Sequence, residues 1–235
     1  MRKQTGFTLI EIAIVLVIVG LLLGAVLMGQ ELIQSTRVRN LVSEQDGIKA
    51  AFYGFQDRFH AYPGDYSLAT TNINGATMNG NGNGRIETNG TPCGGAGCQA
   101  QENIGVWDQL SHAGFINGTF TWAAAVSEAT NPRSPSGIYL DLIYDNAYGL
   151  AGSPPRYNLK SGGQIAVGII AEVDRKIDDG MPYTGAFQFS TYLGNGAAVP
   201  TDGAAAPPAC TSATTAQGIW NATNGSANCG GANLF

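Results

Sequence analysis

Between Ile12 and Gly29 the chain runs for 18 residues without a charged side chain, and only Glu11 separates that run from the apolar stretch Phe7 to Ile10. A helix of about 20 apolar residues spans a hydrocarbon core, and no other segment of the chain narrows the possible folds so sharply. Glu11 is the anomaly within it. A charged side chain in a spanning helix costs roughly 2.5 to 3.5 kcal/mol on insertion scales, so such a residue implies a function and a partner.

A secretory signal peptide would end its apolar core at a small-residue cleavage site. Here the run passes directly into "GQELIQSTRVRN", a polar helical pattern. A plain membrane anchor accounts for the length, and Arg2 and Lys3 ahead of it orient the N-terminus toward the cytoplasm. Neither reading gives Glu11 a role. The stretch "KQTGFTLIEIAIVLVIVGLLLG" resembles the class III signal of type IV pilins and type II secretion pseudopilins, in which a short basic leader ending in Gly precedes F-T-L-I-E and an apolar helix. The resemblance implies cleavage by a prepilin peptidase between Gly6 and Phe7, methylation of the Phe7 amine, and a mature chain with Glu11 as its fifth residue. An α-amino group titrates around 7.7 to 8.0 and is largely cationic near neutral pH. In a helical array, Glu11 of one subunit can neutralise Phe7 of its neighbour, and low dielectric makes that pairing strong enough to select register. Cleavage removes Arg2 and Lys3, leaving 10 basic against 17 acidic side chains and a charge of −7. Many members of the family carry a Pro where this chain has Met28; Gly20, Gly24 and Gly29 lie nearby instead. Gly20 and Gly24 also have the G-x-x-x-G spacing of close helix packing.

Beyond Gln30 the pattern becomes amphipathic. Val38, Leu41, Ile48, Phe52, Phe55 and Phe59 recur at three- and four-residue steps with Gln45 as the single polar interruption, which predicts a core-facing stripe on a continuous helix. From Phe7 to about Phe59 such a helix measures roughly 80 Å at 1.5 Å per residue, and Pro63 and Gly64 stop it. The following "YPGDYS" also resembles a segment of many pseudopilin-like sequences. The expected division is a leader over 1–6, a membrane and assembly helix over 7–29, an amphipathic helix over 30–62, and a globular head over 63–235.

About 200 residues lie outside the apolar segment, enough for one domain with its own core. The formal charge of −5 lacks the basic field that nucleic acid selects, so no nucleic-acid partner is expected. With 33 glycines and 12% charged residues, the composition suits turns, long loops and a secreted surface. Cys93, Cys98, Cys210 and Cys229 allow three pairings, or a metal site with no His near either pair. An exported chain meets an oxidising compartment, which favours Cys93–Cys98 and Cys210–Cys229.

Within the head, "NGNGNGRIE" places Asn79, Asn81 and Asn83 at the oxygen-ligand spacing of a calcium loop. All three are Asn, and Gly90 stands where a bidentate Glu belongs, so a turn-rich surface loop is expected. "ENIGVWDQLSHAGFINGTF" reads as a short helix with Val106, Trp107, Leu110 and Phe115 inward and Gly114 near its end. "SGIYLDLIY" alternates as a half-buried strand, "IIAEVDRKIDDG" as a helix stopped by Gly180 and Pro182, and Phe187 to Ser190 as a further strand. Asp174, Asp178 and Asp179 form the strongest acidic group. Asp174 and Asp178 lie one turn apart, as on a solvated helix face, and the family resemblance makes the three candidate Ca²⁺ ligands. No other cofactor is expected. "DRKIDDGMP" resembles another recurrent pseudopilin-like segment. His60 and His112 each stand without a nucleophile or paired carboxylate, so no enzyme is expected.

These readings converge on an α+β fold, a long N-terminal helix packed on a small antiparallel sheet. By resemblance the chain is a structural filament subunit. It is held in the inner membrane with its head outside the cytoplasm, then assembled with other copies and other pilin subunits by a membrane platform. A retained Glu11 argues against a role solely at the tip. The alternatives are a periplasmic secretion pseudopilin and a minor pilin presenting an adhesive surface around Trp220.

Overall fold

The computed structural model describes residues 8–88, 101–203 and 209–235. Two compact units divide it, residues 1–37 and 38–235. Helix α1 (Leu9–Phe59) runs through both, and a single-turn α2 (Ala69–Asn72) follows it. In the first unit every aliphatic side chain from Leu9 to Ile33 is exposed, so this half of α1 is helical through its own backbone bonds and not through packing.

In the second unit the expected stripe is the buried face. Val38, Leu41, Gln45, Ile48, Phe52 and Phe55 are buried there, and Phe59 packs at the margin. The stripe meets a four-stranded antiparallel sheet of β1 (Asp141–Asp145), β2 (Arg156–Lys160), β3 (Phe187–Phe189) and β4 (Gly231–Leu234), in the order β1-β2-β4-β3. Asn233 sits between Leu159 on one side and Phe187 on the other. The long helix on a small antiparallel sheet is the expected α+β architecture.

Two apolar clusters share α1. Ile48, Phe52 and Phe55 pack with Trp107, Leu142 and Leu159, whereas Val38 and Leu41 pack with α4 (Val167–Ile177), Phe187, Phe189 and Trp220. Gln45 lies between them, 1% exposed, and neither polar atom of its side chain finds a hydrogen-bond partner among the described residues. An unsatisfied buried amide costs about 1–3 kcal/mol. Gln45→Met, which keeps the volume, is therefore expected to stabilise the protein by about 1–2 kcal/mol. Urea titration of the two proteins checks this, and a lower midpoint for the variant contradicts it.

Helix α3 (Glu102–His112) has the predicted apolar face, with Val106, Trp107 and Leu110 fully buried. Its polar side chains are buried as well, and these organise the Gly-rich chain around it. Glu102 accepts from the Asn81 and Glu87 amides at 2.8 and 3.2 Å. Asp108 accepts from the Thr77 amide and hydroxyl, and Gln109 Oε1 accepts from the Gly64 amide at 2.7 Å. Gly64 has φ +87°, and a Cβ there would lie 2.5 Å from the Glu102 carbonyl oxygen. The chain leaving α1 passes α3 at that point only because residue 64 has no side chain.

The expected strand from Ser136 to Tyr144 forms later and is more buried. β1 begins at Asp141, and Ile138 to Ile143 are all buried, on both faces. Asp141 is satisfied inside by Asn103 Nδ2 at 2.8 Å, which is how a polar residue occupies the inner alternation. Within "QIAVG", Ile165 makes a single bridge to Cys229 before α4 begins at Val167.

Candidate functional site

The N-terminal end of α1 is built from Thr8 and Glu11. The Glu11 carboxylate accepts from the Thr8 amide at 2.8 Å and from the Thr8 hydroxyl at 2.6 Å, while the Glu11 amide lies 3.4 Å from Thr8 Oγ1. This is a capping box, in which the first residue and the third helical residue satisfy each other's orphan amides. The T-x-x-E spacing carries that signal, and reading Glu11 only as an intermolecular charge overlooks it. Within one chain the acid therefore has a hydrogen-bonding role but no cationic partner among the described residues. Gly6 and Phe7 lie outside the described residues. Gly20, Gly24 and Gly29 have open space on the side a Cβ would occupy, and the apolar half of α1 is long and apolar enough to cross a membrane.

The side chains of the acidic triad lie close together. One oxygen from each of Asp174, Asp178 and Asp179 falls within 4.8 Å of the others. The surroundings differ from a solvated helix face, because Asp174 is fully buried. Its Oδ2 accepts from Trp220 Nε1, and Trp220 lies between Cys210 and Cys229, which are disulfide-bonded with Cα atoms 5.6 Å apart. Closing a loop of this size stabilises by about 3 kcal/mol in the chain-entropy model. Asp178 caps the start of β3 by accepting from the Ala186 and Phe187 amides. Asp179 accepts from the Met181 amide and the Thr184 hydroxyl at 2.9 and 2.6 Å. Asp174 Oδ1 is buried with no donor among the described residues. Burial, together with the neighbouring Asp178, pushes Asp174 up to about 8, so near neutral pH it is a carboxylic acid. The triad thus fastens α4, β3 and the disulfide loop to one another.

Cys93 and Cys98 lie outside the described residues. Trp220 is 5% exposed and offers no aromatic contact surface. The Asn79 to Glu87 loop is held by carboxylates from elsewhere in the sequence. Asp65 accepts from the Asn83 and Gly84 amides at 3.0 and 2.8 Å, and Glu102 accepts from Asn81 and Glu87. The asparagine oxygens bond to nearby amides, Asn81 to Asn83 and Asn83 to Arg85. This loop is a set of linked turns around two buried acids, and the three-asparagine pattern serves backbone geometry. His60 closes α1 with φ 52°, and His112 Nδ1 lies 3.3 Å from Asp108 Oδ1.

Residues 1–27 match the model of the prokaryotic N-terminal methylation motif. No curated protein and no solved structure matches the chain.

Proposed function

From the premise that residues 1–27 are a class III signal of the kind that type IV pilins and pseudopilins carry, we propose that the chain is a structural subunit of a type IV pilus-like filament. That signal implies processing by a prepilin peptidase and assembly with other pilins, and it fits a membrane-anchored protein that crosses once. In the reading proposed here, the peptidase cuts after Gly6 and the protein waits in the inner membrane with residues 38–235 outside the cytoplasm. Assembly then buries the apolar half of α1 against neighbouring copies, with Glu11 of one subunit facing the Phe7 amine of the next. The observation that carries this is the exposed aliphatic surface from Leu9 to Met28, with Glu11 as its single charged residue. A surface so apolar requires lipid or other helices around it.

The long loops and the size of residues 38–235 fit a pilus subunit better than a small secretion pseudopilin. The adhesive reading loses its aromatic patch with Trp220 buried. Shearing cells and separating surface fibres from the periplasmic fraction tests the assignment, with the protein expected in the fibres. Recovery from the periplasm alone would replace the pilus by a pseudopilus. Mass spectrometry of filament-derived protein is expected to find methylated Phe7 at the N-terminus, and an intact Met1 there contradicts the processing step.

A further inference from the structure

Eight asparagines in this chain are followed directly by glycine. That pairing is chemically labile. The glycine amide nitrogen can attack the asparagine Cγ, forming an N–Cγ bond and expelling ammonia, and water then opens the five-membered imide at either carbonyl to give aspartate or isoaspartate. Glycine favours attack because no Cβ obstructs the approach. The reaction also requires the glycine amide to be free of a hydrogen-bond acceptor and the carboxamide to be free to turn.

Six of these pairs lie where both side chain and backbone are described, and the fold sorts the six into two groups. The Gly80, Gly82 and Gly196 amides donate to the carbonyls of Tyr66, Asp65 and Leu193 at 3.0 Å each, and the Gly84 amide donates to Asp65 Oδ2 at 2.8 Å. The preceding carboxamides are held too. Asn79 Oδ1 accepts from Thr70, Asn81 Oδ1 from Asn83, Asn83 Oδ1 from Arg85, and Asn195 Oδ1 from Tyr139. Asn74 and Asn117 are the contrast. Both they and the glycines that follow are exposed, and neither their carboxamides nor the Gly75 and Gly118 amides bond to a described residue. Asn74 has one further neighbour. The His112 ring packs on Gly75, with Nε2 3.1 Å from where a Cβ would stand. His112 Nδ1 lies 2.9 Å from the Asp108 carbonyl and 3.3 Å from its carboxylate, which places the ring proton on Nδ1 and a lone pair on Nε2. A base so placed, not itself bonded to the Gly75 amide, can take its proton through one bridging water as the nitrogen attacks and return it to the departing ammonia.

We propose that Asn74 and Asn117 are sites of spontaneous self-modification to aspartate and isoaspartate, with Asn74 the faster because His112 acts as its base, while Asp65 and the loop bonds protect the asparagines of the 79–84 turn. Each event adds one negative charge, and the iso-linkage adds a methylene to the backbone beside α3.

The test incubates the full-length protein in detergent micelles at neutral pH, and follows isoaspartate by enzymatic methyl labelling and each site by peptide mass mapping. Asn74 and Asn117 are expected to convert severalfold faster than Asn79, Asn81, Asn83 and Asn195, and unfolding in denaturant is expected to level the rates. His112→Gln should slow Asn74 severalfold and leave Asn117, an internal clock in the same molecule, unchanged. Gly75→Ala should suppress Asn74 alone. Equal rates across all six sites in the folded protein, or no conversion at Asn74 and Asn117, would overturn the proposal. An unchanged Asn74 rate in His112→Gln would remove the histidine from it.

Discussion

Glu11→Ala is expected to leave the protein inserted in the membrane and to remove it from sheared fibres. Losing one partner of a buried ion pair costs about 3–5 kcal/mol, roughly a hundredfold or more in an association constant, and a filament repeats that loss at every joint. The capping box supplies the control. Thr8→Val removes the two bonds made by the Thr8 hydroxyl, keeps the bond from the residue 8 amide to the Glu11 carboxylate and keeps the charge, and a lost cap is worth only about 1 kcal/mol. Immunoblots of membrane and sheared fractions are expected to show Thr8→Val in fibres and Glu11→Ala in membranes only. Equal loss in both variants would reduce Glu11 to a helix cap, and normal fibre yield from Glu11→Ala would refute the pairing.

The second large effect is on stability against pH. Asp174 is raised to about 8 by burial and by Asp178, and burial raises Glu44 and Glu102 to about 7. The folded protein therefore holds protons that the unfolded chain releases at pH about 4. The sign follows from that difference: the contribution is complete below pH about 4, declines as pH rises, and is gone for Asp174 above about 8. Each such group changes stability by about 1.4 kcal/mol per pH unit within its window. Thermal melting of the full-length chain in micelles is thus expected to be higher near pH 5 than near pH 8. Asp174→Asn, which keeps an oxygen for Trp220 and cannot ionise, should be more stable than the parent near pH 8 and flatten the profile. Added Ca²⁺ separates the two occupants that the triad could hold. If a dication takes the place of the proton, it raises the midpoint near pH 8 in the parent, an EDTA-reversible gain that Asp174→Asn lacks. A midpoint that rises from pH 5 to 8 with EDTA present would sink the proton reading.

The periodicity of residues 38–59 was legible because a helix packed on one side must repeat its apolar positions, and Val38 through Phe55 obey that rule. The Cys210–Cys229 pairing was legible from the compartment. What could not be read was polar burial. Asp174 looks like a surface residue one turn from Asp178, and only the tertiary approach of Trp220, 46 positions away, takes it inside. Glu102, Asp108 and Gln109 are likewise ordinary surface types on a short helix, yet each ends in the core accepting from a loop amide 21 to 45 residues earlier. Such contacts join segments whose spacing carries no period. The capping box was legible, since T-x-x-E is local, but the stronger question of a charge in lipid hid it.

The sheet order has a bearing on where the cooperativity of residues 38–235 is concentrated. β4 (Gly231–Leu234) lies between β2 and β3, so it is the strand that joins the pair β1 and β2 to β3. Next to it, Phe235 stacks edge-on against Phe52 with ring centroids 4.9 Å apart, and Lys49 Nζ donates to the Leu234 carbonyl at 3.2 Å. Without β4 the strands β1 and β2 have no hydrogen-bonded link to β3. Loss of its pairing therefore loosens the whole sheet and its seat on α1 together, and not one edge alone.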